Sequence, residues 1–405
     1  VTLESGARVF LFPSTATPVL SAKAAFLGGV RVEPSGKGGV TELLSRVWTS
    51  GTKDLNEAEI LRKIEGIAAG LSAFGGRNSV GLSHQAISPF EKEGIELFTE
   101  SLVAPVISAA AVEREKVVMI DAIRSREDSP GQLVSQMFTE TMFKGHPYSR
   151  DSYGTKESVT SLTKGDVEAA LKATCYSENL TLALAGSIDR DLWLDRLTEA
   201  TSRLPRGKKQ EAHFKHEGPK ADERAFKKLD REQTHIILGM KGLTLDDSRR
   251  YTLQVIQSIL AGQGGRLFLE LRDKASLAYS VSPMRMEGID TGYFGAYIGC
   301  SPEKGTKAIE MLNAEFAKLV ETKVPDWEID RAKRYLIGRH DIDLQRNSAI
   351  SSSILFNEIY GIPGEEMFAY ADHLRDITAS DIQSLAKELF AQPRILCAVG
   401  PNEPW

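Results

Sequence analysis

The feature that most restricts the fold is a plan of elements that occurs twice along the chain of 405 residues. Each half opens with strand-like segments and continues through segments with the three- and four-residue apolar spacing of helices. The first half closes with the apolar strand pattern "LTLALAGSI" (180–188), and the second closes with "RILCAVGP" (394–401). Since single cores stop growing at about 250–300 residues, this repeat predicts two copies of one domain.

Between the two halves lies a polar segment without a helical or strand period. Residues 206–224 read "RGKKQEAHFKHEGPKADER", in which Gly and Pro stand among charged side chains, as is typical of a linker. We therefore predict an N-terminal domain over residues 1–205 and a C-terminal domain over residues 225–405. The predicted fold class is α+β, with each domain of ~200 residues formed by a mostly antiparallel sheet and helices packed on one face.

Local patterns predict several element boundaries. The segments "ARVFLF" (7–12) and "VLSAKAAFLGG" (19–29) alternate like strands, and the turn "PSTATP" between them predicts that they pair. A helix is expected to begin after Asn56 as N-cap and to end with Gly70 as C-cap. Further helices are predicted from about Glu91 to Val103 and through "AAVEREKVVMIDAIRSRE" (110–127), whose mixed charges at helical spacing are typical of a solvated face.

Composition and charge exclude some classes of function. The net charge of −5 argues against nucleic acid as the main partner, because phosphate neutralisation needs a basic face. No window reaches the ~18 consecutive apolar residues of a membrane helix, so no membrane span is expected.

Cys175, Cys300 and Cys397 are widely spaced in apolar or helical contexts, which predicts buried reduced thiols. The opening "VTLESGARVFLF" has no signal-peptide pattern, although the absence of an initial Met leaves a trimmed leader open.

The histidines do not form a metal-binding motif. Seven are present, and their spacing matches neither HExxH nor HxxEH, the patterns that place two imidazoles and a Glu on one helical face. His213 and His216 stand three apart in "HFKHE", inside the predicted linker. We expect this pair to lie in a solvated charged segment, and weak or accidental metal binding is the alternative.

A candidate catalytic pair lies in "GQGGRLFLELRDKASLAYSV" (262–281). Its glycines are not followed by the lysine and hydroxyl of a phosphate-binding loop. Arg272 and Tyr279 stand seven residues apart, with a helix end and a strand start between them. A guanidinium and a phenol brought to one site can hold a peptide carbonyl and stabilise a developing oxyanion. The plain alternative is a helix that begins after a flexible glycine turn.

Taken together, seven stretches of the chain resemble the pitrilysin-type, or inverzincin, metallopeptidases, a family that includes mitochondrial processing peptidase. The resemblance covers nearly the whole chain, and the stretches follow the family's order. They are "LESGARVFLFP" (3–13), "RVEPSGKGGVTELLSRVWTSGT" (31–52), "AAGLSAFGGRNSVGL" (68–82), "VEREKVVMIDAIRSREDSP" (112–130), "KGHPYSRDSYGTKESVTSLTKGDV" (144–167), "NLTLALAGSID" (179–189) and "GGRLFLELRDKASLAYSVSP" (264–283). The resemblance implies that the two domains form half of a clamshell.

In active members of that family, the helix after the "GKGG" turn carries His-x-x-Glu-His, and a Glu on a later helix completes the zinc site. Matching the motif onto this chain places Glu42, Ser45 and Arg46 at the first His, the Glu and the second His. Ala122 stands at the later Glu, whereas Glu115 matches a supporting acid. Because catalytic zinc needs three protein ligands and a guanidinium repels a dication, the resemblance implies no metal or other cofactor in this chain.

The resemblance also gives Arg272 and Tyr279 a role. In the family, an Arg and a Tyr at this spacing reach the substrate carbonyl from the half that holds no zinc. Some relatives divide the two halves of the chemistry between different subunits. The chain therefore resembles the non-zinc subunit of a heterodimeric zinc peptidase, inactive alone and paired with a homologous subunit that carries the HxxEH motif and the zinc.

A third part of the expected site is a strand that binds peptide substrate by strand addition. The matching residues here are Ser72, Ala73, Phe74 and Gly75. A glycine-rich edge strand without a ligand is the alternative for this stretch.

Two further alternatives concern the whole chain. One is a catalytically silent structural subunit, like the core subunits of the respiratory cytochrome reductase, and the other is a self-associating binder that traps peptides without cutting them.

The source and compartment are inferred from the resemblance only. The chain shows no mitochondrial-type presequence, and its "GQGG" loop is shorter than the Gly-rich loop of the mitochondrial non-catalytic subunit. Both features favour a bacterial protein, located in the periplasm or the cytoplasm.

Overall fold

A computed structural model describes residues 1–208, 210 and 213–405, so that positions 209, 211 and 212 of the predicted linker lie outside the described residues. The described strands form two five-stranded sheets. The first sheet contains β1 (Arg8–Pro13), β2 (Val19–Leu27), β3 (Gly70–Gly75), β4 (Ser79–Ile87) and β5 (Leu180–Gly186). The second contains β6 (Glu223–Lys228), β7 (Thr234–Gly242), β8 (Ala278–Glu287), β9 (Gly292–Cys300) and β10 (Ile395–Gly400).

Helices connect the strands in both halves of the chain. In the first half they are α1 (Val40–Val47), α2 (Glu57–Gly66), α3 (Glu91–Val103), α4 (Ala109–Glu127), α5 (Pro130–Met142), α6 (Lys156–Ser161), α7 (Lys164–Thr174) and α8 (Arg190–Thr201). In the second half they are α9 (Arg250–Leu260), the π-helix Phe268–Lys274, α10 (Gly305–Glu321), α11 (Asp326–Asp343), α12 (Asn347–Ile359), α13 (Tyr370–Arg375) and α14 (Ala379–Phe390). The α+β fold class is confirmed.

The two sheets have the same strand topology. Their orders are β1-β5-β2-β4-β3 and β6-β10-β7-β9-β8, which are identical when each strand of the second sheet is matched to its counterpart in the first. In each sheet the first pair is parallel and the other three pairs are antiparallel. The repeat seen in the sequence is therefore a repeat of topology.

The predicted pairing of the first two strands is wrong. Strand β5 lies between them, with β1 parallel on one side and β2 antiparallel on the other. All seven residues of β5 are buried, whereas β1 is mostly half-buried. A strand that is apolar on both faces gains most from an inner position, so β5 takes that place and β1 becomes an edge.

Two compact units make up the chain, and each contains a segment from the opposite half of the sequence. Unit 1 comprises Val1–Ile123, Arg150–Ala212 and Asp343–Met367. Unit 2 comprises Arg124–Ser149, His213–Ile342 and Phe368–Trp405. Helix α12, from late in the sequence, thus belongs to unit 1, and helix α5, from the first half, belongs to unit 2.

In unit 1 the two faces of the sheet are covered differently. Large apolar residues on one face, among them Phe26 and Leu182, form a core with helix residues such as Phe98. The opposite face carries small residues, and α12 packs there against β2 and β5. The Ser21 and Ser351 hydroxyls lie 2.9 Å apart at this contact. Small side chains let the helix backbone approach the sheet closely.

Unit 2 repeats this arrangement with α9, α10 and α14 on one face of its sheet. Helix α5 packs on the other face against β7 and β10, and Phe138 of α5 joins a cluster with Ile237 and Val399. A Cβ atom at Gly239 would lie 2.6 Å from the Phe138 ring. Glycine is therefore required where α5 crosses β7.

Several local predictions hold and one boundary differs. Asn56 caps α2 with a capping box, and α3 spans Glu91–Val103, so both predictions are confirmed. Helix α2 ends at Gly66 rather than at Gly70, because Ala68 adopts a φ of 50° that breaks the helix and Gly70 already begins β3. The three cysteines are buried free thiols, as predicted. Among the described residues, no helix has the length and hydropathy needed to cross a membrane.

Only one histidine of the pair in the predicted linker is exposed to solvent. His213 is exposed, but the His216 ring is half-buried, 5.4 Å from the Phe143 ring and 5.5 Å from the His146 ring. His216 Nδ1 lies 2.9 Å from the Thr291 hydroxyl, and burial lowers the pKa of His216. The expectation of a solvated segment is wrong for His216, because this segment packs onto the aromatic cluster that follows α5.

Candidate functional site

Helix α1 carries the residues at the expected zinc positions, and they form a network of ion pairs and hydrogen bonds. Arg46 Nε donates to Glu42 Oε1 at 2.7 Å, one helical turn earlier. Arg46 Nη1 lies 3.4 Å from Glu115 Oε2 on α4, and Nη2 lies 3.4 Å from the Tyr153 hydroxyl. The Ser45 hydroxyl donates to the Glu42 backbone carbonyl at 2.8 Å. The guanidinium is therefore held from three directions.

The network continues beyond Arg46. Glu115 Oε1 also accepts from Arg114 Nε at 3.1 Å, and Arg114 forms two hydrogen bonds to Glu57 at 2.7 and 3.1 Å. Burial alone lowers the pKa of Arg46, but Glu42 and then Tyr153 raise it above its ordinary value. Alternating charges therefore link α1, α4 and the start of α2, and Arg46 stays a cation.

These side chains do not fit a catalytic zinc. Such a site needs three converging imidazole, carboxylate or thiolate ligands and an open position, and here a cation stands at one of the expected ligand positions. Ala122, half-buried on α4, offers no donor atom. In the described part of the chain, no group of three or more His, Cys, Asp or Glu side chains is arranged to hold a metal ion.

The frame around α1 is fixed without a metal. The Glu33 carboxylate is buried and accepts the backbone N–H groups of Gly39 at 3.2 Å and Thr41 at 2.9 Å, which are free donors at the start of the helix. Burial raises the pKa of Glu33, and these hydrogen bonds oppose that rise. At the other end, the buried Trp48 indole N–H donates to the Ser101 carbonyl at 3.0 Å.

Strand β3 is the edge of the first sheet that lies next to α1. Its expected peptide-binding residues are Ser72, which is exposed, and Ala73, Phe74 and Gly75, which are half-buried. Among the described strands it pairs with β4 only. The Phe74 ring packs edge-on against Phe356 at 5.7 Å. A Cβ at Gly75 would lie 2.8 Å from the Thr41 carbonyl oxygen and 3.3 Å from Ser45 Cβ, so glycine allows this close approach to α1.

Arg272 and Tyr279 belong to unit 2, where the π-helix packs against the edge strand β8. Arg272 is exposed, and its guanidinium carbon lies 4.8 Å from the centre of the Phe268 ring. Tyr279, on β8, is 63% exposed. Among the described residues, neither the guanidinium nor the phenol has a hydrogen-bonding partner, and no hydrogen bond joins the two. Both groups are thus available to an external acceptor.

The chain between these two residues has an uncommon conformation. π-Helices are rare and occur frequently at functional sites. Ser276, just before β8, has a φ of 49°, a conformation that side-chain-bearing residues seldom adopt and that clusters at active sites. The backbone N–H of Leu277 donates to the Leu271 carbonyl at 2.9 Å and holds this turn in place.

Two participants were not identified from the sequence. Phe268 precedes Arg272 by four residues, a spacing that places both side chains on one side of a helical segment, so this contact had a local signal. Tyr153 had none. It comes from a loop more than one hundred positions away, and its ring lies 5.5 Å from the Arg46 guanidinium carbon.

The chain matches models of one protein family over most of its length. Residues 11–156 match the insulinase (peptidase family M16) domain, and residues 161–336 match the peptidase M16 inactive domain. An uncharacterized zinc protease of Streptomyces coelicolor is 26% identical over 384 residues, covering 92% of this chain and 83% of that protein. The non-peptidase homolog YmxG of Helicobacter pylori is 26% identical over 347 residues, covering 84% and 79%.

Solved structures share the fold. The peptidase M16 inactive domain from Pseudomonas fluorescens has a TM-score of 0.93 at 21% identity, covering 100% of this chain and 98% of that one. A chain of complex III2 from Candida albicans has a TM-score of 0.82 at 18% identity, covering 100% and 96%. The two sheets of one topology and the family matches lead to one conclusion, which is that the chain belongs to the insulinase, or peptidase M16, family.

Proposed function

We propose that this chain is the non-zinc subunit of a heterodimeric zinc peptidase, inactive alone, whose partner is a homologous subunit with the HxxEH motif. The observation that carries the proposal is a contrast between two places in the chain. On α1 the expected zinc positions are occupied by the Arg46 network, whereas Arg272 and Tyr279 are exposed and have no hydrogen-bonding partner among the residues that the structure describes. The proposal therefore assigns the zinc to the partner subunit and the binding of the substrate carbonyl to this chain.

In the proposed mechanism the partner supplies the zinc and the activated water. Arg272 and Tyr279 donate hydrogen bonds to the oxygen of the scissile peptide carbonyl. These donors gain strength as that oxygen takes up negative charge, so they stabilise the tetrahedral intermediate more than the substrate. The Phe268 ring beneath Arg272 restricts the guanidinium before substrate arrives, through a cation–π contact.

We propose that peptide substrate adds as a strand to the free edge of β3. The backbone groups of an edge strand can pair with an extended peptide in any sequence, while side-chain contacts give selectivity. Ser72, Ala73, Phe74 and Gly75 would line that added strand. Family membership and the edge position of β3 support this part of the proposal.

The test is a reconstituted complex with the homologous HxxEH-bearing chain of the same genome. Because one oxyanion-hole donor contributes about 3–4 kcal/mol, Tyr279→Phe and Arg272→Ala should each lower kcat by about 100-fold or more. Tyr335→Phe and Arg375→Ala, at exposed positions outside the site, are matched controls that should keep full activity. Full activity in both site variants would refute the shared mechanism.

The same preparation tests whether this chain, without its partner, has peptidase activity or zinc. This chain alone should cleave no peptide and should contain no stoichiometric zinc by metal analysis. One tightly bound zinc per chain would overturn the assignment of Glu42, Ser45, Arg46 and Ala122 as degenerate positions of the zinc site.

A catalytically silent structural subunit is the second candidate, favoured by the fold shared with a complex III2 chain. It predicts a stable complex whose function does not depend on Arg272 or Tyr279. Arg272 and Tyr279 are exposed and, within the described part of the chain, accept or donate no hydrogen bond that packing would require, so their availability favours the peptidase subunit. Finding a bound peptide but no cleavage with any partner would instead support a peptide-trapping protein.

A further inference from the structure

Unit 2 contains a charged cleft that the proposed peptidase chemistry does not use. It has a volume of about 440 Å³ and lies between the π-helix, the end of α10 and the start of α11. Neither Arg272 nor Tyr279 lines it. Its lining includes five basic side chains and three carboxylates.

Three of the basic side chains are neutralised by ion pairs. Arg266 holds Glu328 with two hydrogen bonds of 2.8 and 3.1 Å. Lys274 lies 2.7 Å from Glu270 one turn earlier in the π-helix. Lys318 pairs with the buried Glu315 on α10 at 2.5 Å. These pairs account for all three carboxylates of the cleft.

Two cations are left without a countercharge. Arg331 donates to the carbonyl oxygens of Gly264 and Ile259, and Lys323 is exposed at the end of α10. In the described residues neither forms an ion pair. The cleft therefore has a surplus of two positive charges in a chain whose net charge is −5.

The rim of the cleft also carries a large exposed aromatic residue. Trp327 is 63% exposed, and the Arg331 guanidinium carbon lies 5.9 Å from its ring. Exposed tryptophan beside arginine is the composition typical of energetically important positions at protein interfaces. Trp48 and Trp193, by contrast, are fully buried.

The cleft further contains an unsatisfied buried acceptor. Glu315 is 2% exposed, and its Oε2 has no hydrogen-bond partner among the described residues. A buried carboxylate oxygen without a donor is costly, so a ligand that brings an N–H group into the cleft would be favoured. A simple inorganic anion brings none.

We propose that this cleft docks an extended acidic peptide segment of a partner protein. Carboxylates of the segment pair with Lys323 and Arg331, an apolar side chain covers Trp327, and a backbone N–H donates to Glu315 Oε2. The cleft's surplus charge, its exposed aromatic and its unpaired acceptor each match one component of such a segment.

The test is fluorescence anisotropy with a short labelled peptide that alternates Glu with Leu. The same peptide with Gln in place of Glu is the comparison. The acidic peptide should bind, added salt should weaken binding by screening, and the Gln peptide should bind at least about 10-fold more weakly. Equal binding of both peptides would overturn the proposal.

Variants localise the binding. Lys323→Glu and Trp327→Ala change exposed side chains and should each raise Kd by about 10-fold or more. Lys307→Glu is the matched control, since Lys307 is exposed on the same helix α10 but lies outside the cleft. Unchanged binding in both cleft variants would show that the peptide binds elsewhere.

Two other occupants are distinguished in the same series. Inorganic phosphate at matched ionic strength should not displace the peptide, and full displacement would reduce the cleft to a simple anion site. Sedimentation should show no change of oligomeric state in the Lys323→Glu variant. Loss of a self-associated species in that variant, together with no peptide binding, would assign the cleft to a second copy of this chain.

Discussion

His84 makes the stability of unit 1 depend on pH in a way that its surroundings determine. The ring is 1% exposed on β4, packed 5.9 Å from the Phe98 ring. Its Nδ1–H donates to the Gly70 carbonyl at 2.9 Å, and Nε2 has no partner among the described residues. Burial lowers the pKa of His84 from 6.5 to about 4, against the smaller opposing effect of the Gly70 carbonyl. The fold therefore holds the neutral ring.

The sign of the effect follows from proton linkage. Between pH 6.5 and 4 the unfolded chain binds a proton at His84 and the folded chain does not, so stability rises with pH in this window. Above pH 6.5 both states are neutral and the full stability is present. As pH falls, this residue alone should remove about 2 kcal/mol at pH 5 and about 3 kcal/mol at pH 4.

The assay is urea denaturation at a series of pH values for the wild type and His84→Asn. An Asn amide can still donate to the Gly70 carbonyl but does not titrate, so the difference between the two curves isolates the histidine from all carboxylates. The free energy of unfolding should fall more steeply below pH 6.5 in the wild type. Parallel loss of stability in both proteins between pH 7 and 4 would refute the reasoning.

Two further substitutions test other contacts. A Cβ at Gly94 would lie 2.5 Å from His84 Nε2, a buried ring that cannot move aside, so Gly94→Ala should lower the free energy of unfolding by about 1–3 kcal/mol. The control Gly338→Ala, in α11 with open space around the added methyl, should raise it by about 0.5–1 kcal/mol. If Gly338→Ala lowered the free energy of unfolding and Gly94→Ala did not, the close contact between Gly94 and the His84 ring would be contradicted. Arg46→Met removes a cation shared by two partly exposed carboxylates and should cost about 1–2 kcal/mol, measured by urea denaturation; no change would mean that the ion-pair network does not stabilise α1.

The sequence predicted those features that depend on near neighbours. Asn56 and Glu59 form the capping box at the start of α2, and that signal lies within four residues. The bounds of α3 and the buried strand β5 follow from apolar spacing in the same way. The repeat itself was visible because both halves place the same pattern of elements in the same order.

Features that depend on distant contacts were missed or mistaken. Strand β5 separates β1 from β2 although more than 150 positions follow β2 before it begins, and no local pattern records that pairing. His216 was expected in solvent, yet its burial comes from Phe143 and His146, which lie far from it in sequence. The place of Tyr153 in the Arg46 network was likewise not predicted, because the two residues lie far apart in the sequence.

The candidate site shows the same division. Through the family resemblance, the sequence predicts that Glu42, Ser45 and Arg46 stand at the three functional positions of the HxxEH motif, and residue type alone indicates that the Arg46 guanidinium cannot serve as a zinc ligand. Only the tertiary structure decided what those residues do instead, since the partners of Arg46 come from α4 and a loop. It likewise decided that the guanidinium of Arg272 is exposed over Phe268, because exposure depends on what the rest of the fold leaves uncovered.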